Sequence, residues 1–179
     1  MKALCDVLNA HNVEYVVFGS FAGRLQGVPL RTIDIDVVPE ASAGNLERLC
    51  RALNSLQPRW RVDDVSEGVK IDGGKLEPRH ILGSSIAIGL VTTAGRVDVL
   101  LEPKGFERGF RDLVGSAVTV DVDGTSIRVG ALRDLILSKD LLNREKDREH
   151  LPLLISRERE LERERDQGRG IDPGRDIGR

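Results

Sequence analysis

Residues 31–39 read Arg31-Thr32-Ile33-Asp34-Ile35-Asp36-Val37-Val38-Pro39. The alternation has a period of two, so Ile33, Ile35 and Val37 share one face of a strand while Asp34 and Asp36 share the other. Pro39 lacks the N–H that a ladder needs and closes the strand. Upstream, Tyr15-Val16-Val17-Phe18 is a β-branched and aromatic run ending in Gly19-Ser20, and Phe21 to Gln26 can start a helix before Gly27 and Pro29 interrupt it. Before that run, Ala3, Leu4, Val7 and Leu8 recur at helical spacing, with Asn12 as the stop. The order is helix, strand, tight turn, helix, strand.

Further along, Leu46, Leu49, Cys50, Leu53 and Leu56 predict an amphipathic helix stopped by Pro58. A strand near Trp60 to Val65 is followed by Gly68, Gly73, Gly74 and Pro78 in a polar stretch that reads as a loop able to act as a flap. Ile86 to Val91 and Arg96 to Leu101 predict two strands joined at Ala94-Gly95. Ala117 to Val122 and Thr125 to Val129 form a hairpin turning at Asp123-Gly124. Beyond Gly130 the pattern turns helical, with Leu132, Leu135 and Ile136 on one stripe, continuing past Pro152 into Leu154 and Ile155. Ser156 to Arg165 is almost entirely Arg and Glu, and the residues after it offer little to bury. The expected organisation is a core over residues 1–130, a helical part over 131–165 and a disordered tail over 166–179.

A chain of 179 residues, 40% hydrophobic and 31% charged, has the size of one domain and excludes two large ones. Its 27 Lys+Arg against 29 Asp+Glu exclude a general basic nucleic-acid coat, although a local basic groove is compatible with them. No apolar run is long enough to span a membrane, and Met1-Lys2-Ala3-Leu4 opens on an amphipathic pattern instead of a signal peptide. The expected location is the cytoplasm. Cys5 and Cys50 stand on apolar helical stripes with no metal-ligand spacing, so both read as small buried hydrophobes. Only 3% of residues are aromatic, too few for a base-stacking platform.

Four features carry chemistry. Gly19-Ser20, between a strand and a helix, can seat a phosphate, though a glycine there also serves as a plain turn residue. Asp34 and Asp36 aim two hard oxygen donors at one point, which suits Mg²⁺. The same spacing in Asp121-Val122-Asp123 runs into Gly124 and marks only a hairpin end, so the spacing alone does not establish a site. Asp98 interrupts the aliphatic run Val97-Asp98-Val99-Leu100, as an acid facing either solvent or a cation. With all three acids on adjacent strands, the pattern fits one or two magnesium ions in phosphoryl transfer. Lys139 falls on the apolar stripe set by Leu132, Leu135 and Ile136, and the stripe continues through Asn143, Lys146 and Asp147. An inward cation opposite acids is placed for a triphosphate, with Arg24 and Arg31 adding to the field. A helix boundary near Asn143 with ordinary surface charges is the alternative. His11, His80 and His150 read as structural, with Arg79-His80 kept as a substrate contact.

In combination, Val17-Phe18-Gly19-Ser20, Gly27, Arg31-Thr32-Ile33-Asp34-Ile35-Asp36 and Val97-Asp98-Val99-Leu100 resemble the DNA polymerase beta-like nucleotidyltransferase superfamily. More narrowly, Gly-x-x-Arg-Thr-x-Asp-x-Asp together with Ser138-Lys139, Arg144, Lys146-Asp147 and Leu151-Pro152 resembles the AbiEii-type nucleotidyltransferase toxins of bacterial toxin-antitoxin pairs. The resemblance implies an α+β domain of the nucleotidyltransferase fold, a mixed β-sheet flanked by helices and followed by a helical C-terminal part. It implies catalysis by Asp34, Asp36, Asp98 and Lys139, with Mg²⁺ held by the three acids. Gly19, Ser20, Arg31, Lys139 and Asp147 become the nucleotide-binding set. The implied partners are a nucleoside triphosphate, a tRNA 3′ acceptor end and a cognate antitoxin. Transfer to a protein or a small antibiotic, or a non-catalytic binding or antitoxin module, are the alternatives. Phe21-Ala22-Gly23 after Ser20 lacks the arginine-glycine pair of small antitoxin-type relatives, which argues against that last role. Any RNA surface has to be local, with Arg128, Arg133, Arg144, Lys146 and Arg148 as its expected members.

Overall fold

The structure, a computed structural model, describes residues 1–62, 67–83 and 87–169. Helix α1 (Lys2–Ala10) leads into strand β1 (Tyr15–Phe18), helix α2 (Gly19–Leu25), strand β2 (Asp34–Pro39) and helix α3 (Ala43–Ser55). The alternation in β2 holds from Asp34 to Val37, because Ile35 and Val37 are fully buried while Asp34 and Asp36 occupy the other, partly open face, but Ile33 precedes the strand and is exposed, and Val38 is buried on the side of the acids. Leu4 and Leu8 of α1 and Leu46, Leu49 and Leu53 of α3 are buried in the same core. Asn45, completely buried on α3, accepts from the Glu14 N–H and donates to the Glu14 and Glu40 carbonyls, which fixes that helix to the strand ends. Cys5 and Cys50 are buried free thiols, as read from the sequence.

The segment read as a flap-like loop is more ordered than that. After β3 (Arg59–Trp60) come β4 (Val69–Lys70), a 3-10 turn at Asp72–Gly74 and helix α4 (Pro78–Leu82). Ile71, Leu76 and Ile81 are buried, and the Asn54 amide brackets Leu76 by hydrogen bonds to both its N–H and its C=O. These scattered apolar anchors have no period, which is why the sequence pattern did not expose them. Val65 and Ile86, assigned to strands above, lie outside the described residues.

Strands β5 (Ile88–Thr92) and β6 (Gly95–Val99) form one hairpin, and after helix α5 (Phe110–Leu113), β7 (Val118–Val122) and β8 (Thr125–Val129) form another. The described strands make one mixed sheet in the order β4-β3-β5-β6-β2-β1-β8-β7. The β2–β6 and β1–β8 pairs are parallel and the rest antiparallel. Helices α6 (Leu132–Leu142) and α7 (Glu145–Arg169) follow, with Pro152 inside the latter. Helix α7 passes the expected boundary at 165: residues 166–169 are helical, and 170–179 lie outside the described residues. Among the described residues no helix is long and apolar enough to cross a membrane.

Candidate active site

Sheet register brings the acids together. Asp36 pairs with Phe18 on β1 and with Asp98 on β6, so two carboxylates stand side by side on neighbouring parallel strands. Asp34, two residues earlier on the same face, accepts a hydrogen bond of 2.6 Å from Thr32 Oγ1. At the end of β1 the chain turns into α2 through Gly19, whose φ is +62°. A Cβ there would lie 1.8 Å from Asp36 Oδ2, so glycine is required both by the backbone conformation and by the carboxyl packed against it.

The acids share a cleft of about 710 Å³ with Gly19, Ser20, Arg31 and Lys139. Burial first, then repulsion from Asp34 and Asp98, pushes the Asp36 carboxyl up to about 7. Burial also raises Asp98, with Arg61 pulling the other way. Asp36 and Asp98 are therefore disfavoured as free carboxylates by their surroundings.

The opposite wall is built by α6 and α7. Lys139 is only 5% exposed, and its Nζ donates to Asp147 Oδ1 at 2.9 Å. The same ammonium lies 3.4 Å from Ser20 Oγ and 3.3 Å from His150 Nδ1. Asp147 is fully buried and also accepts from Arg144 Nε at 2.6 Å. Its burial acts to raise the carboxyl, but the hydrogen bonds from Arg144 and Lys139 outweigh that and hold it at about 2. A helix boundary does exist at Asn143, which adopts a left-handed conformation (φ 49°, ψ 30°). It does not disperse the polar patch, because α7 restarts so that Asp147 returns beneath Lys139. Burial, followed by the Lys139 charge, lowers His150 and favours the neutral imidazole.

Asp34, Asp36, Asp98, Gly19, Ser20, Arg31 and Lys139 thus line one cleft, while Asp147 sits behind Lys139 as its counter-ion. Two participants were not expected from the sequence. Arg61 reaches Asp98 at 2.8 Å and Asp34 at 3.6 Å. His150, read as structural, lies 3.4 Å from Ser20 Oγ in the cleft, and its position three residues after Asp147 was the available signal. Other expectations are corrected. His80 closes a capping box on α4 and packs edge-on against Trp60, and Arg79 pairs with Glu77, so neither lines the cleft. Arg24 is exposed away from it. Of the expected basic surface only Arg144 and Lys146 line the cleft, since Arg128 pairs with Glu14, Arg133 with Asp134, and Arg148 binds Asn143. Asp121 accepts the Gly124 N–H, the turn role foreseen for it.

The donor chemistry of Asp34, Asp36 and Asp98 suits a hard divalent cation. Among the described residues no three His, Cys, Asp or Glu side chains already converge as a metal-holding group, and Arg61 is the cation found against two of the acids.

No family model matches the sequence, and no curated protein matches it. Solved structures do. A Thermotoga maritima protein provisionally named a nucleotidyltransferase superposes with a TM-score of 0.53 at 21% identity, over 87% of this chain and 89% of that one. The antibiotic-resistance factor ANT(2'')-Ia superposes with a TM-score of 0.53 at 15% identity, over 86% of this chain and 82% of that one. At such identities the likeness is one of fold.

Proposed function

We propose that this chain is a Mg²⁺-dependent nucleotidyltransferase, transferring NMP from a nucleoside triphosphate to an acceptor hydroxyl. The observation that carries the reading is the facing of two charge sets across one cleft, Asp34, Asp36 and Asp98 on the sheet and Lys139 with Ser20 on the helical side. In the reaction the acceptor oxygen forms a bond to the α-phosphorus, the bond from that phosphorus to the pyrophosphate oxygen breaks, and pyrophosphate leaves. Asp34, Asp36 and Asp98 would hold magnesium, which supplies Lewis-acid stabilisation of the charge developing on the phosphate oxygens. Lys139 and the Ser20 hydroxyl are placed to contact the triphosphate, and Arg31 adds charge at the rim. Asp147 accepts from Lys139 Nζ at 2.9 Å and holds that side chain at the cleft. Neutral His150 can accept a hydrogen bond from the Ser20 hydroxyl at Nδ1 or donate one to a phosphate oxygen.

The acceptor we favour is the 3′ end of tRNA, with the chain acting as the toxin of a toxin-antitoxin pair and a cognate antitoxin as its partner. The toxin role rests on the resemblance in the AbiEii-like motifs. The acceptor is supported by the mouth of the cleft, where Arg31, Lys104, Arg144 and Lys146 are all exposed and suit a polyanion. A second reading, transfer to a small antibiotic, draws on the fold shared with the antibiotic-resistance factor. A cationic acceptor would need carboxylates of its own, and among the described residues lining the cleft Glu102 is the one acid besides Asp34, Asp36 and Asp98.

The test is transfer of α-labelled nucleotide, each of the four triphosphates in turn, onto total tRNA in Mg²⁺, with Asp36→Ala as the blank. Label that disappears in the variant supports both the reaction and the acceptor. Label on a small molecule or protein but not on tRNA keeps the reaction and replaces the acceptor, and label retained by Asp36→Ala refutes the site.

A further inference from the structure

Register sets up an unusual row across the sheet. Asp36 is opposite Asp98, Asp98 is opposite Gly89 on β5, and the Arg61 N–H donates to the Gly89 carbonyl at 2.9 Å, continuing the β3–β5 pairing by one residue. Residues opposite one another in neighbouring strands share a face. Glycine in that row leaves an open path between Arg61 and Asp98, and the arginine uses it. A Cβ on Gly89 would lie 3.0 Å from Arg61 Nε, 3.1 Å from Nη2 and 3.2 Å from Cζ, so the guanidinium lies against the bare glycine backbone. From there Nη2 donates to Asp98 Oδ2 at 2.9 Å and lies 2.8 Å from Oδ1, while Nη1 lies 3.6 Å from Asp34 Oδ2.

We propose that Arg61 is the resident counter-ion of the acid cluster, holding Asp34 and Asp98 while the chain is free of metal and withdrawing from them when a divalent cation binds. The inference rests on the metal-dependent reading above. The guanidinium engages both carboxyls of Asp98 and Asp34, the oxygen donors a cation between them would need, and two positive species at that spacing repel each other. Withdrawal leaves the sheet intact, because the backbone N–H anchors residue 61 to β5 while the charge is carried on a long, flexible stem whose side chain is 20% exposed. Cation affinity is therefore set by competition, a feature of this chain that the three acids alone do not reveal.

The test is Mn²⁺ binding by electron paramagnetic resonance and calorimetry, together with thermal melting in chelator, on the full chain and on Arg61→Gln and Gly89→Ala. Arg61→Gln should bind Mn²⁺ roughly tenfold more tightly, since a competing cation has been removed. It should also melt lower than the parent in chelator and gain more from added Mn²⁺. Gly89→Ala keeps every charge but crowds the guanidinium, and should shift affinity in the same direction by less. Should Arg61→Gln fail to fold in chelator, the Gly89→Ala comparison carries the result. Equal or weaker Mn²⁺ binding by the variants, with clear binding by the parent, overturns the role of Arg61 and leaves the metal reading standing. No Mn²⁺ binding by any of the proteins overturns both.

Discussion

Replacing Asp147 by asparagine keeps its shape and removes its charge, leaving buried Lys139 without its carboxylate. The structure gives the magnitude in two ways. A carboxyl drawn from 3.8 to about 2 contributes about 2.5 kcal/mol to folding at neutral pH. Removing one partner of a buried pair costs about 3–5 kcal/mol, and the half-exposed Arg144, which can relax into solvent, places the expected loss near the lower end. About 3 kcal/mol in a domain of this size lowers Tm by roughly 6–12 °C. The pH dependence gives a second signature. Because the folded-state pKa is depressed, the stabilisation is complete above about 4 and is lost as the pH falls towards about 2. Urea unfolding at several pH values should show the parent losing stability through that window and Asp147→Asn lacking that component of the slope. A loss below about 1 kcal/mol at pH 7, or an unchanged acid slope, would refute the view that this pair anchors α7 to α6.

Asp36→Asn should abolish transfer and yet stabilise the metal-free chain at pH 8 by on the order of 1–3 kcal/mol. Its raised carboxyl means the folded state loses stability as the pH climbs from about 4 to about 7, and melting in chelator at pH 5 and pH 8 checks the sign. Gly19→Ala forces a Cβ onto the Asp36 carboxyl at a positive φ and should cost on the order of 2–3 kcal/mol, read by denaturant unfolding, with transfer lost even where the fold survives. Lys139→Met retains the stem packing and removes the ammonium; triphosphate affinity should fall about tenfold or more, measured by calorimetry. Ending the chain after Arg165 should leave Tm and transfer unchanged, because residues 162–167 are exposed.

Sequence periodicity made β2 legible because Ile35 and Val37 on one face are fully buried while Asp34 and Asp36 alternate with them on a partly open face. The turn at Asp123-Gly124 was equally clear, with positive φ at both residues. Lys139 could be found because a lysine on an apolar stripe has to face the protein body. The opposite edge of the sheet was less readable. Strands β3 and β4 have two residues each, too short for any period, and their pairing depends on distant partners such as Arg59 with Val91. Arg61 was missed for that reason, since its place beside Asp98 follows from a register and a glycine about thirty residues away. His150 was hidden by the left-handed step at Asn143, which resets the helical phase between it and Lys139.

The helical side of the cleft is itself joined from distant parts of the chain, with 119 residues separating Ser20 from Lys139 and 130 separating it from His150. Asp34, Asp36 and Asp98 have all left the ribosome's peptidyl-transferase centre once residue 98 is made, whereas Lys139, its partner Asp147 and His150 are added only later. Synthesis runs at about 5–20 residues per second, so the nascent chain spends seconds with one wall and not the other. Closing so long a loop is also among the later steps of folding, because its entropy has to be met before its contacts form. On the proposed reading the cleft is therefore completed late, and an unfinished chain carries the three acids without the Lys139 ammonium that faces them.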